Sequence, residues 1–158
     1  MTSSPLAFDR LVDEIGALHS KLILLIGGPG TGKTALLAAL ANKRSAKVLN
    51  VGCALGKRLA LLPSKQRAFK APVLLRELAD EHADGDLLLI DNIELLFDRT
   101  LKLNPLKLLK WRAQIRRVVA AWPGELEEGR LTYAEIRHPE YQDYPGDDLV
   151  PFEMKSVR

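Results

Sequence analysis

The sequence predicts an α/β fold: a three-layer αβα sandwich in which helices cover both faces of a mainly parallel, five-stranded sheet. Three observations carry that prediction. The apolar run Leu22 to Ile26 reads as a strand buried on both faces, and it passes through a glycine-rich turn into a helical segment from Ala35 to Ala41. A second apolar run, Leu87 to Ile90, is followed by Asp91, so an acid stands at the C-terminal end of a strand, where open parallel sheets bind ligands. Elsewhere, strand-like and helix-like segments alternate, as strand–helix–strand units require.

The turn after the first strand, Gly27-Gly28-Pro29-Gly30-Thr31-Gly32-Lys33-Thr34, fits the phosphate-binding pattern G-x-x-x-x-G-K-[ST] at every position. Glycines at 27, 28, 30 and 32 are expected to permit positive φ and to remove each Cβ that would hold the main chain away from a phosphate. Inward-pointing N–H groups and the N-terminus of the next helix then make an anion cradle, to which Pro29 adds no donor. Lys33 supplies an ammonium for the β- and γ-phosphates, and the Thr34 hydroxyl is placed to ligate Mg²⁺. The expected nucleotide-binding set is Gly27, Gly28, Pro29, Gly30, Thr31, Gly32, Lys33, Thr34 and Ala35, with ATP and Mg²⁺ as cofactors. A glycine-rich turn that merely precedes a helix is the plain alternative.

Asp91 ends the second apolar strand in a Walker B pattern and is expected to share Mg²⁺ with Thr34. Many hydrolytic proteins with this loop place Glu next, to polarise the attacking water. Here the next residue is Asn92, which can orient water but cannot accept its proton, and Glu94 follows two positions on. The expected catalytic set is therefore Lys33, Asp91 and Glu94. If Glu94 only begins the next helix, hydrolysis should be slow.

At 158 residues the chain is read as one domain, 1–158, with an N-terminal helix within 1–20 and an irregular tail over 138–158. Cys53 is the only cysteine, which excludes an intrachain disulfide; it is expected to be a small core residue. Met1 to Phe8 lacks the regions of a signal peptide, and no apolar run approaches the ~20 residues that span a bilayer. A cytoplasmic location with no membrane contact is expected. The net charge is only +3, but Lys43, Arg44, Lys47, Lys57, Arg58, Lys65, Arg67, Lys70 and Arg76 fall in a stretch without an acid. That stretch reads as a solvated basic face or as a weak or indirect contact for nucleic acid or an acidic partner. Phe69 is its only aromatic residue able to stack a base.

The remaining elements follow in order. Ser4-Pro5 starts a short amphipathic helix carrying Leu11, Ile15 and Leu18, with His19 at its end. Lys47 to Val51 is the second strand, followed by Gly52. Leu55 to His82 is helical, broken at Pro63, with Pro72 expected at the first position of a later helix. Leu95 to Leu103 connects to Asn104-Pro105, a cap and first-turn proline, and the helix there should turn Leu106, Leu109 and Ile115 inward. Val118 to Trp122 is a fourth strand stopped by Pro123-Gly124, and Trp122 either packs or senses the nucleotide. Leu131 to Ile136 is the expected fifth strand.

With a strand between its Walker A and Walker B segments, the chain resembles the additional-strand branch of P-loop ATPases, to which the AAA+ proteins belong. That resemblance implies strand order 5-1-4-3-2. It departs from the branch after the fifth strand, where too few residues remain for a helical AAA+ lid with its sensor arginine. More closely, the chain resembles the BrxF family of small P-loop proteins from type 3 BREX bacteriophage-exclusion systems. The residues that carry this are Gly27 to Thr34, Leu88-Ile90-Asp91-Asn92-Ile93-Glu94, Ala121-Trp122-Pro123-Gly124 and Leu131-Thr132-Tyr133-Ala134-Glu135 with His138-Pro139-Glu140-Tyr141. It implies a bacterial antiviral role beside other BREX subunits.

Three functions fit this reading: an ATPase subunit, slow or partner-activated, that assembles with itself or with larger defence proteins; a nucleotide-dependent assembly switch with negligible hydrolysis; and a small-molecule kinase. For the first, Arg99, Arg116 and Arg117 are candidates for an arginine that completes a neighbour's site.

Overall fold

The computed structural model describes residues 5–17, 21–133 and 142–154. Ser4, Leu18, His19 and the segment 134–141 lie outside the described residues. The element order is α1 (Pro5–Glu14), β1 (Leu22–Ile26), α2 (Lys33–Arg44), β2 (Val48–Asn50), α3 (Val51–Ala60), α4 (Ser64–His82), β3 (Leu87–Asp91), α5 (Pro105–Arg112), β4 (Arg117–Trp122), β5 (Gly124–Glu127), β6 (Arg130–Tyr133), β7 (Gln142–Pro145) and β8 (Val150–Glu153). Short 3₁₀ turns cover Ile15–Ala17, Glu94–Phe97 and Arg99–Leu101.

Five strands form one parallel sheet in the order β2-β3-β4-β1-β8. Taken from the other edge this is the expected order 5-1-4-3-2, with β8 in the fifth place. Every residue of β1 is buried, as its apolar run requires of a central strand covered on both faces. One face packs α1 and α2 through Phe8, Val12, Leu37 and Leu40; the other packs α3, α4 and α5 through Leu55, Leu75, Leu78 and Leu109. Asp9 of α1 receives Lys43 at 2.8 Å and Arg44 at 2.9 Å from the end of α2, and these cations hold its carboxyl below the usual aspartate range.

The fifth strand of the parallel sheet is not Leu131 to Ile136, and within the tail expected to be irregular the described residues 142–154 carry two strands, Gln142–Pro145 and Val150–Glu153. Arg130–Tyr133 is β6, the middle of a three-stranded antiparallel sheet, β5-β6-β7. The parallel edge is completed by Val150–Glu153, whose short, proline-bearing stretch has almost no periodicity to read. β8 becomes a strand because β1 offers it an unpaired edge.

Three further expectations change, and of the two roles open to Trp122 the structure takes packing. Pro72 lies inside α4 rather than at its start, and Pro63 precedes the helix. The carbonyl left without a donor belongs to half-buried Ala68, near solvent. α5 ends at Arg112, so Ile115 is 61 % exposed instead of inward. Cys53 is exposed, because α3 begins directly after β2 and turns that position outward. Trp122 is fully buried and packs edge-on to Phe97 and Tyr144, with ring centroids 5.3 Å and 5.6 Å away. Its Nε1 donates to the Thr132 carbonyl at 2.9 Å, so it joins the two sheets and does not face the nucleotide loop.

Candidate functional site

β1 delivers the chain into residues 27–32, and α2 begins at Lys33. Two positions in this loop need glycine for its backbone: Gly30 has φ +78° and Gly32 φ +91°. Gly27 is needed for space, since a Cβ there would sit 2.7 Å from Thr31 Oγ1 and 3.0 Å from the Met154 carbonyl. Gly28 has no positive φ and a Cβ there would touch nothing within 4 Å, so neither the backbone nor packing within the protein calls for glycine at that position. The loop is held from two sides. Thr31, 7 % exposed, donates its hydroxyl to the Gly28 carbonyl at 2.8 Å, and Met154 N–H donates to the Ile26 carbonyl at 2.7 Å.

The Lys33 ammonium donates to the carbonyls of Gly27 and, at 3.2 Å, Gly28. Burial lowers its pKa, while the carboxylates of Glu94 and Asp91 act in the opposite direction. The three residues expected to be catalytic thus face one another across one space. That space is a cavity of about 1050 Å³ lined by all of 27–35, together with Asn50, Asp91, Asn92, Glu94 and Tyr133.

Asp91 ends β3 in register with Asn50 at the end of β2. Asn92 then takes φ +55°, a left-handed conformation that asparagine tolerates, and its N–H donates to Asp91 Oδ1 at 2.8 Å. Its side-chain amide is engaged within the protein. Asn92 Nδ2 donates to Asn50 Oδ1 at 2.9 Å, and the same oxygen caps α3 by accepting from Cys53 N–H at 3.0 Å. The Asn92 carbonyl also accepts from Gly52 N–H at 2.9 Å. A Cβ on Gly52 would come 2.5 Å from Asn92 Nδ2, so glycine makes this closure fit. Glu94 opens the 3₁₀ turn Glu94–Phe97 and also lines the cavity.

No cluster of three or more His, Cys, Asp or Glu side chains that could hold a metal occurs among the described residues. The oxygens of Thr34 and Asp91, both on the cavity wall, are hard donors few in number. That set suits Mg²⁺, which keeps most of its ligands as water and substrate phosphate.

Asn50, Tyr133 and Met154 are site residues that sequence reasoning misses. Asn50 had a usable signal, an Asn at the edge of an apolar-periodic segment. Tyr133 and Met154 had none, because β6 and β8 reach the loop only through tertiary pairing. The candidate arginines are not gathered here. Arg117 is bound to Asp86 at 2.8 Å and to the Val12 carbonyl at 2.7 Å, and Arg116 to Asp80 at 3.1 Å, all at the end of the parallel sheet opposite the loop.

A parallel sheet of order 5-1-4-3-2 with this loop between β1 and α2 defines a P-loop ATPase domain of AAA type. Residues 23–105, more than half of the chain, match the family "ATPase family associated with various cellular activities (AAA)", and the chain belongs to that family. The 26S proteasome regulatory subunit 4 homolog of Dictyostelium discoideum is 40 % identical over 93 residues, 57 % of this chain and 19 % of that protein. Its Schizosaccharomyces pombe counterpart is 37 % identical over 93 residues, with the same coverage of 57 % and 19 %. The chain spans about one fifth of the length of these curated relatives. Among solved structures, Caenorhabditis elegans PCH-2 superposes with a TM-score of 0.50 at 21 % identity, over 96 % of this chain and 41 % of that one, a likeness of fold. AAA family proteins bind nucleotide, typically with Mg²⁺, and commonly oligomerise. No described helix is long and apolar enough to cross a membrane.

Proposed function

We propose that this AAA domain binds MgATP in the cavity of residues 27–35 and hydrolyses it slowly, or faster on contact with partners, as a subunit of a bacterial anti-phage assembly. The observation that carries the enzymatic part is the convergence of Lys33, Asp91 and Glu94 on one cavity. Lys33 exchanges the Gly27 and Gly28 carbonyls for phosphate oxygens, a stronger, charge-assisted partner. Thr34 and Asp91 would hold the Mg²⁺, which would offset phosphate charge when bound. Glu94 Oε takes the proton of the attacking water, because Asn92 has no basic atom and its amide is engaged by Asn50. The defence role rests on the resemblance to the BrxF family in residues 27–34, 88–94, 121–124, 131–135 and 138–141; a cytoplasmic location is proposed with it, on the lone Cys53 and the absence of signal-peptide character in Met1 to Phe8. The proteasome relatives match over 93 residues, about one fifth of their own length, so nothing of proteolysis is carried over.

A second reading, a nucleotide-dependent assembly switch with negligible turnover, is favoured by one observation. Lys33 is the only cation among the described residues lining the cavity, so no arginine in cis offsets charge on the transferring phosphoryl group. Phosphate release from MgATP, measured beside solution mass with ATP and ADP, separates the two. Release above background that Lys33→Ala abolishes supports the ATPase. A nucleotide-dependent change in mass with release at background supports the switch.

A further inference from the structure

We infer that the cleft between α4 and α5 docks an acidic peptide segment carrying one bulky aliphatic residue. This is a surface separate from the nucleotide cavity and independent of the function proposed above. Val73 and Trp111, 39 % and 44 % exposed, stand at its mouth, and Phe69, 79 % exposed, lies one helical turn before Val73 on the same face of α4. Leu75 and Leu108, 4 % and 8 % exposed, lie deeper, around a notch of about 130 Å³ with room for one branched aliphatic side chain. Exposed apolar surface gathered around a notch and rimmed by charge marks an interaction site rather than scattered surface residues.

The rim decides the partner's charge. Arg76 and Arg112 line the notch, and Lys107 lies over the Trp111 ring at 5.3 Å. Nearby acids are already engaged: Glu77 and Glu81 by Arg58, and Asp80 by Arg116. Arg76, Arg112 and Lys107 make no ion pair among the described residues, so the rim presents uncompensated positive charge. Carboxylates supply the complement.

Nucleic acid would also meet that charge, but the rest of the cleft suits it less. Lys107 covers a face of Trp111, leaving Phe69 as the open stacking platform. The apolar walls Pro72, Leu75 and Leu108 offer no donor or acceptor side chain to a base edge, whose burial would then be costly, whereas an aliphatic side chain has nothing to satisfy.

The test is fluorescence anisotropy on the 158-residue chain with three dye-labelled probes: a glutamate-rich peptide with a central leucine, the same peptide with that leucine replaced by serine, and a single-stranded oligonucleotide of equal charge. The leucine peptide is expected to bind at least about tenfold more tightly than either competitor. The charge reversal Arg76→Glu with Arg112→Glu, and separately Trp111→Ala, should each weaken it about tenfold or more while MgATP affinity is retained as the check on folding. No binding of the leucine peptide overturns the inference. So does equal binding of the serine peptide, which would leave only a charged surface. Tighter binding of the oligonucleotide, lost in the same variants, would reassign the cleft to nucleic acid.

Discussion

In the parallel sheet, β1 is buried at every residue and β4 at all but its first; in the antiparallel sheet, β6 buries only Leu131, β7 only Tyr144, and β5 none. The first sheet carries its own core on two faces. The second borrows one, through Trp122, Tyr144 and Leu131, which belong to the core beneath α3, α4 and α5. Phe97 joins them, with Tyr133 stacked on it at 3.9 Å between centroids, and burial pushes the Tyr144 phenol up to about 12. One region makes the loop, and the other supplies a wall of the cavity through Tyr133. The family match ends at residue 105, before either β4 or the small sheet begins, so the wall is what this chain adds beyond the matched segment.

The sharpest break in that comparison is Trp122→Ala. It deletes a fully buried indole and the donor to Thr132, and should cost about 3–5 kcal/mol, read as a lower urea midpoint. Gly124→Ala gives a local version, since a Cβ would lie 1.7 Å from the Thr132 carbonyl. Hydrogen exchange should show β5 and β6 amides losing protection while β1 and β4 keep theirs. Equal loss in both sheets would mean they unfold as one unit.

Lys33→Ala acts on the other region alone. ATP affinity should fall at least about a hundredfold by calorimetry, with the urea midpoint nearly unchanged, because the ammonium is half-buried and supports no core contact. Unchanged affinity would remove the loop from the proposed function.

Asp91→Ala and Glu94→Gln divide binding from turnover. The first should weaken Mg²⁺-dependent binding; the second should spare binding and lower phosphate release about a hundredfold, the lower end for a lost general base. A Glu94→Gln protein as fast as wild type would make Glu94 only the opening residue of its 3₁₀ turn.

The smallest effect lies at the far end of the sheet. Two hydrogen bonds from Arg117 hold the Asp86 carboxyl below the ordinary aspartate value of 3.8. A lowered pKa means that the stabilisation is present above 3.8 and is lost as pH falls through the folded-state value. With Asp86 largely exposed, Asp86→Asn should cost no more than about 1 kcal/mol at neutral pH, and the difference from wild type should vanish in acid.

The two regions also differ in how far they are legible. Residues 22–34 and 87–91 act through local chemistry: unbroken apolar runs, glycines at left-handed positions, an acid at a strand end. The Asn104 cap on Lys107 N–H, with Pro105 first in α5, is legible for the same reason. The sequence by itself determined the fold class, the loop, and the acids beside it, because each depends on neighbours within a few residues. Only the tertiary structure decided that β8 is the fifth strand, that Met154 crowds Gly27, that Trp122 fastens a second sheet, and that Asn92 is bound to Asn50. Each of those is a contact between residues far apart in the chain. None has a period or a spacing to read, since a strand that pairs at an edge, or a side chain that fills a gap, is selected by the surface it meets.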